Sequence, residues 1–184
     1  MLDACDAISI VTPDQYHVPI LLDAFQADKH VLTEKPLALT LDEAKKAARA
    51  AVKATDRGLV HLINFSHRSP AFHKARRLVE SGRLGELRYF RSAYLQHWIT
   101  ADSWGHWADR EAALWRMSKG AGSGGALGDV GCHILDYITA LTGTVHQLQC
   151  RFADFPVVDK RGESHTQYNG MKLDANMSAL LTLE

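Results

Sequence analysis

At 184 residues with 46% hydrophobic content, the chain is long enough to bury a sizeable core, as one domain or two small ones. Lysine plus arginine and aspartate plus glutamate both number 21, so no basic excess points to nucleic acid or an anionic membrane. No apolar run spans a bilayer, no signal peptide opens the chain, and Cys5, Cys132 and Cys150 suit reduced thiols, so a cytoplasmic protein is expected.

Ala7 to Val11 is a branched apolar run stopped by Thr12-Pro13-Asp14, which predicts a buried strand entering a turn. A helix from about His17 to Ala27 follows, with Val18, Leu21, Leu22 and Phe25 at helical spacing. His30 to Thr33 reads as a second strand, ending in Glu34-Lys35-Pro36. Thr40 with Glu43 is a capping-box signature, opening a helix to about Thr55 with Ala44, Ala47, Ala48, Ala51 and Val52 inward. Gly58 ends that unit, and Leu59 to Phe65 makes a third strand. Strands and helices alternating at this spacing predict a parallel sheet wound with crossover helices.

After Phe65 the pattern changes. Pro70 to Ser81 predicts a helix with Phe72, Ala75, Leu78 and Val79 on one side, and Leu87 to Trp98 a long aromatic strand. Residues 99 to 123 are too long a connection for a simple turn. Val145 to Phe152 and Ala175 to Leu183 read as further strands, with a polar loop from Asp154 to Leu173 between them. The expected fold class is α/β: a parallel sheet over 1–65, then an α+β domain over 66–184 with a mostly antiparallel sheet and one inserted helix.

That helix follows Gly124-Gly125. Started near Ala126, it places Asp129, His133 and Asp136 at i, i+4 and i+7, on one face, with Leu127, Val130, Ile134, Ile138 and Leu141 opposite. An imidazole between carboxylates is an acid/base arrangement, and a neighbouring carboxylate raises its pKa. A solvated polar face has the same pattern. In an open parallel sheet, ligands bind beyond the carboxyl ends of the strands, where Thr12-Pro13-Asp14 and Glu34-Lys35-Pro36 fall. Pro36 keeps Lys35 extended, so its ammonium can polarise a substrate oxygen, although a surface lysine before a proline turn reads the same way.

Thr12-Pro13-x-x-x-His17, then His30-Val31-Leu32-Thr33-Glu34-Lys35-Pro36, then Gly124-Gly125-Ala126-Leu127-x-Asp129-x-Gly131-x-His133-x-x-Asp136 together resemble the Gfo/Idh/MocA family of NAD(P)-dependent oxidoreductases. The resemblance covers nearly the whole chain. It implies that 1–65 is the C-terminal part of a Rossmann nucleotide-binding domain. It implies that 66–184, cut short at its C-terminus, is a substrate domain whose sheet makes a homo-oligomer interface. Lys35, Asp129 and His133 carry over as the catalytic set, and Thr12, Pro13, His17, Glu34 and Lys35 as positions on the cofactor side. A cis Lys35-Pro36 bond is allowed. The implied reaction moves a hydride between NAD or NADP and a hydroxyl-bearing carbon of a sugar, cyclitol or related polyol. In it His133, oriented by Asp129, takes the hydroxyl proton while Lys35 holds the oxygen. Asp136 orients the site or caps a contact.

A dinucleotide site also needs a glycine-rich strand-to-helix turn and an acidic residue about 20 residues on. Neither is present, and Gly120 to Gly125 lies too far downstream to serve. The expectation is therefore a fragment of a longer enzyme, inactive and poor at binding cofactor by itself. The alternative is a non-catalytic relative that binds a ligand or assembles through its sheet. No paired histidine or cysteine motif indicates a metal, and nothing marks Cys132 as a nucleophile. Tyr94, Gln96, His97, Trp98, Trp104 and Trp107 suit a polyol pocket, but core and interface packing explains the aromatics equally well.

Overall fold

The computed structural model describes residues 2–94, 115–150, 157–158, 162–165, 167–168, 171–172 and 182–183. Three parallel strands, β1 (Ala7–Ile10), β2 (His30–Thr33) and β3 (His61–Ile63), pair in the order β1-β2-β3. The register sets Ile8, Val31 and His61 in one row and Ser9, Leu32 and Leu62 in the next, on opposite faces. Helices α1 (His17–Gln26) and α2 (Leu41–Asp56) are the crossovers. Their residues Val18, Leu21, Ala24, Phe25, Ala47 and Ala54 bury against Ile10 and Val31 to form the core. The Leu32 and Leu62 side remains open, at 42% and 63% exposure.

Local chemistry explains the boundaries. Thr40 accepts a hydrogen bond from the Glu43 N–H at the start of α2, as the capping signature predicts. The inward stripe of α2 matches the expected one at Ala47, which is buried, and at Ala51, which packs against the core, but it adds buried Ala54 and leaves Val52 63% exposed. Alanine offers so little contrast around the helix that the face is decided by the sheet beneath it. The third strand is shorter than the predicted Leu59 to Phe65. Helix α3 (Pro70–Glu80) is capped by Ser69, with Pro70 in the first turn, where its missing N–H costs nothing.

Described backbone from Leu87 to Tyr94 is not strand, contrary to expectation, and the rest of that predicted strand lies outside the described residues. Residues Leu127–Gly131 form a single π turn, which runs into α4 (Cys132–Thr142) in place of a uniform helix from Ala126. Beyond α4, short antiparallel pairs join β4 (Leu148–Gln149) to β9 (Thr182–Leu183), β5 (Val157–Val158) to β6 (Ser164–His165), and β7 (Gln167–Tyr168) to β8 (Met171–Lys172). The stretch read as a loop, Asp154 to Leu173, therefore carries two of these pairings. Among the described residues no helix is long and apolar enough to cross a membrane.

Candidate active site

The site forms where the turns after β1, β2 and β3 meet the π turn and α4. Thr12 and Pro13 lie in the first turn, and the Thr12 hydroxyl is buried without a hydrogen-bond partner. His17, fully buried at the start of α1, has Nε2 2.9 Å from the Thr12 carbonyl and Nδ1 2.7 Å from the Pro36 carbonyl. Both of its nitrogens are thus engaged within the protein. It acts on the site by tying the first turn to the second. In that second turn the Glu34 carboxylate accepts from the Asn64 amide at 2.6 Å and from the Lys35 N–H at 3.3 Å. The Lys35-Pro36 peptide is cis.

Lys35 reaches 94 residues along the chain. Its ammonium donates to the Asp129 carboxylate at 2.7 Å and to the Asp129 carbonyl at 2.8 Å. Arg116 donates to the same carboxylate oxygen at 3.3 Å. Three N–H bonds on an ammonium with two spent on Asp129 leave one for another oxygen. A second link is Asp14, whose buried carboxylate accepts from the Gly124 N–H at 3.1 Å. Burial lifts the Asp14 carboxyl above its ordinary value, against the pull of that N–H, His17 and Lys35. The glycine run is the contact surface for this turn: Gly122, at φ +82°, leaves no room for a β-carbon against Gln15, and its carbonyl accepts from the Gln15 N–H at 3.3 Å.

His133 sits one turn beyond Asp129, half-buried, with the rings of Phe65 and Tyr94 edge-on to it at 5.9 and 5.7 Å. The expected pairing with Asp129 does not form, because Asp129 is engaged by Lys35 and Arg116. The electrostatics also reverse the expectation: burial, then Lys35 and His67, hold the His133 pKa below its usual value, outweighing Asp129. The imidazole is therefore neutral at neutral pH and able to accept a proton. Cys132, next to it, has its thiol pushed up to about 11 by burial, which makes it a poor nucleophile.

Asp136 faces His67 and Arg68, residues that the sequence reading missed. Its carboxylate accepts from His67 Nε2 at 2.8 Å and from Arg68 at 2.5 and 2.9 Å. Burial raises its pKa, but the Arg68 and His67 hydrogen bonds and charges together bring it below the ordinary value. The overlooked signal was position, since His67 and Arg68 follow the carboxyl end of the third parallel strand, as Lys35 follows the second. Of the aromatic pocket candidates, Tyr94 touches His133, while Gln96, His97, Trp98, Trp104 and Trp107 lie outside the described residues. Among the described residues no group of three or more His, Cys, Asp or Glu side chains is arranged to hold a metal ion.

Comparison with known proteins agrees with this architecture. Residues 1–62 match the family model for an oxidoreductase family with an NAD-binding Rossmann fold, and residues 72–184 match the GFO/IDH/MocA C-terminal domain. Levoglucosan dehydrogenase of Pseudarthrobacter phenanthrenivorans is 38% identical over 138 residues, 74% of this chain and 33% of that protein. The crystal structure of an oxidoreductase domain protein from Kribbella flavida superposes with a TM-score of 0.71 at 41% identity, covering 83% of this chain and 40% of the other. A levoglucosan dehydrogenase complex with NADH and levoglucosan gives 0.68 at 34% identity, covering 84% and 40%. The chain thus spans well under half the length of these relatives. With both halves matched in order, it belongs to the GFO/IDH/MocA family of oxidoreductases.

Proposed function

We propose that this chain supplies the nicotinamide-side and substrate-side residues of an NAD- or NADP-dependent dehydrogenase acting on a sugar, cyclitol or related polyol. The observation that carries the reading is the Lys35–Asp129 pair, which joins the turn after β2 to the π turn one step before His133. The named activities of relatives support it: levoglucosan dehydrogenase acts on a sugar derivative.

The nicotinamide end of the cofactor suits the residues present. Thr12 offers a buried hydroxyl that lacks a partner, and Thr12, Pro13, Glu34 and Lys35 line the strand ends, with His17 bracing them from below. The connection from β1 to α1 contains no glycine, so these residues do not form a pyrophosphate cradle. When bound, the nicotinamide supplies the acceptor for the hydride. The chain's own residues handle the proton and the charge. His133 takes the hydroxyl proton, and the remaining N–H of Lys35 meets the developing negative charge on oxygen. Asp129 holds the ammonium in place.

The same reading divides the chain near residue 65, gathers the short antiparallel pairs into one larger sheet, and assigns that sheet to a homo-oligomer interface. The test is a longer protein that carries these 184 residues together with a glycine-rich phosphate-binding turn, assayed for sugar- or cyclitol-dependent reduction of NAD and NADP beside its Lys35→Met variant. Turnover that falls at least a hundredfold in the variant supports the reading. Sugar binding without turnover in any combination overturns it in favour of a non-catalytic relative.

A further inference from the structure

Behind His133 lies a second imidazole for which the proposed chemistry has no use. His67 points Nε2 at Asp136, 2.8 Å away, and Nδ1 at His133 Nδ1, 3.4 Å away. Both Asp136 oxygens already accept from Arg68, and an ionised carboxylate has no proton to give. The His67 nitrogen facing it must therefore carry the hydrogen. A neutral imidazole has only one, so His67 Nδ1 is left as a bare lone pair. Two lone pairs facing each other repel. The His133 hydrogen then belongs on Nδ1, which leaves His133 Nε2 as the basic nitrogen.

The charges around the two rings favour a further step. His133 lies in the field of the Lys35 ammonium, with a weaker influence from Asp129 and Glu34, and packs against the Phe65 and Tyr94 rings. His67 faces the Asp136 carboxylate, itself shared with Arg68, and the rings of Phe65, Phe72 and Tyr137. A positive charge is better placed on His67, against a carboxylate, than on His133, which the Lys35 ammonium repels. We propose that His67 and Asp136 are positioning residues that fix His133 as a base at Nε2 and relay its charge inward. As a proton arrives on His133 Nε2, the Nδ1 proton of His133 passes to His67 Nδ1. His133 ends neutral, and His67 ends as an imidazolium against Asp136. No other bond changes. The catalytic meaning of the relay rests on the reading of His133 as the proton acceptor, but the proton positions do not.

The positions are read directly by long-range proton–nitrogen NMR on the full 184-residue chain labelled with nitrogen-15 histidine, followed through the imidazole pH range. Neutral His133 is expected with its proton on Nδ1 and neutral His67 with its proton on Nε2, each in tenfold or greater excess, about 1.4 kcal/mol. The pair should take up one proton, because a second would set N–H against N–H. In His67→Phe, which keeps an aromatic ring, His133 should lose its fixed preference. Unchanged signals from buried His17 report that the fold is retained. A neutral His133 protonated on Nε2, or two rings that each become imidazolium independently, overturns the proposal, and the unaltered chain alone decides this. Should His133 prove dispensable for turnover, the functional reading falls while these spectra still stand or fail by themselves.

Discussion

Removing the Lys35–Asp129 pair tests whether the two halves of the site are held together as described. Lys35 and Asp129 side chains are only 11% and 17% exposed, so their interaction is little screened by solvent. Lys35→Met keeps most of the stem and deletes the ammonium. It removes a bond to the carboxylate at 2.7 Å and one to the carbonyl at 2.8 Å, leaving the carboxylate on Arg116 at 3.3 Å. Breaking a buried pair from one side costs about 3 kcal/mol, at the low end of the usual range because Arg116 remains. Asp129→Asn should cost roughly 2 kcal/mol, since the carbonyl bond survives and a neutral amide still accepts. The double variant should be less damaged than the two singles combined, with a coupling of roughly 1.5 kcal/mol. The assay is urea unfolding of all four proteins at a common slope, comparing midpoints. Coupling below about 0.5 kcal/mol, the level of independent sites, would refute the pair as a working link.

Other expectations follow from the same geometry. In a turning-over protein carrying these residues, His133→Ala should lower kcat by roughly 10²- to 10⁴-fold, the worth of a general base, and a loss under about threefold would remove it from that role. In His67→Phe, where His133 has no second ring to pass its proton to, the acidic limb of kcat/KM should lie below the ordinary imidazole value of 6.5, because burial and Lys35 depress the His133 pKa, with activity rising as pH climbs through that lowered value. A limb above 6.5 contradicts this. Asp136 has a folded pKa below its ordinary 3.8, so it contributes stability above that pH, lost as pH falls through the lowered value. Acid unfolding of Asp136→Asn should accordingly be flatter in that window. Gly124→Ala would set a β-carbon 2.8 Å from the Gly128 α-carbon, and overpacking of this kind costs about 1–3 kcal/mol by denaturant titration.

The parallel half was legible because its strands are short branched runs, the first two ended by proline-bearing turns, and because Thr40 announces α2 chemically. The stripe of α2 was legible at Ala47 and Ala51 but not at Val52 and Ala54, since small side chains leave the exact choice of face to tertiary packing. Strands after Phe65 depend on partners far along the chain, so periodicity over Leu87 to Tyr94 could not establish pairing. Lys35, Asp129, His133 and Asp136 were found by spacing and strand-end position. Their partners were not: counting in α-helical steps placed His133 between two carboxylates, whereas Lys35 takes one and His67 with Arg68 takes the other. Ion pairing at separations of 94 and 69 residues leaves no local trace.

The π turn at Leu127–Gly131 bears on how relatives should be compared. Deleting one residue there would let an ordinary helix run through and swing Asp129 by about 100° around the axis. Every letter of the motif could survive such an indel while the lysine lost its anchor. The interval from Gly124 to His133 is thus as diagnostic as the residues that bound it.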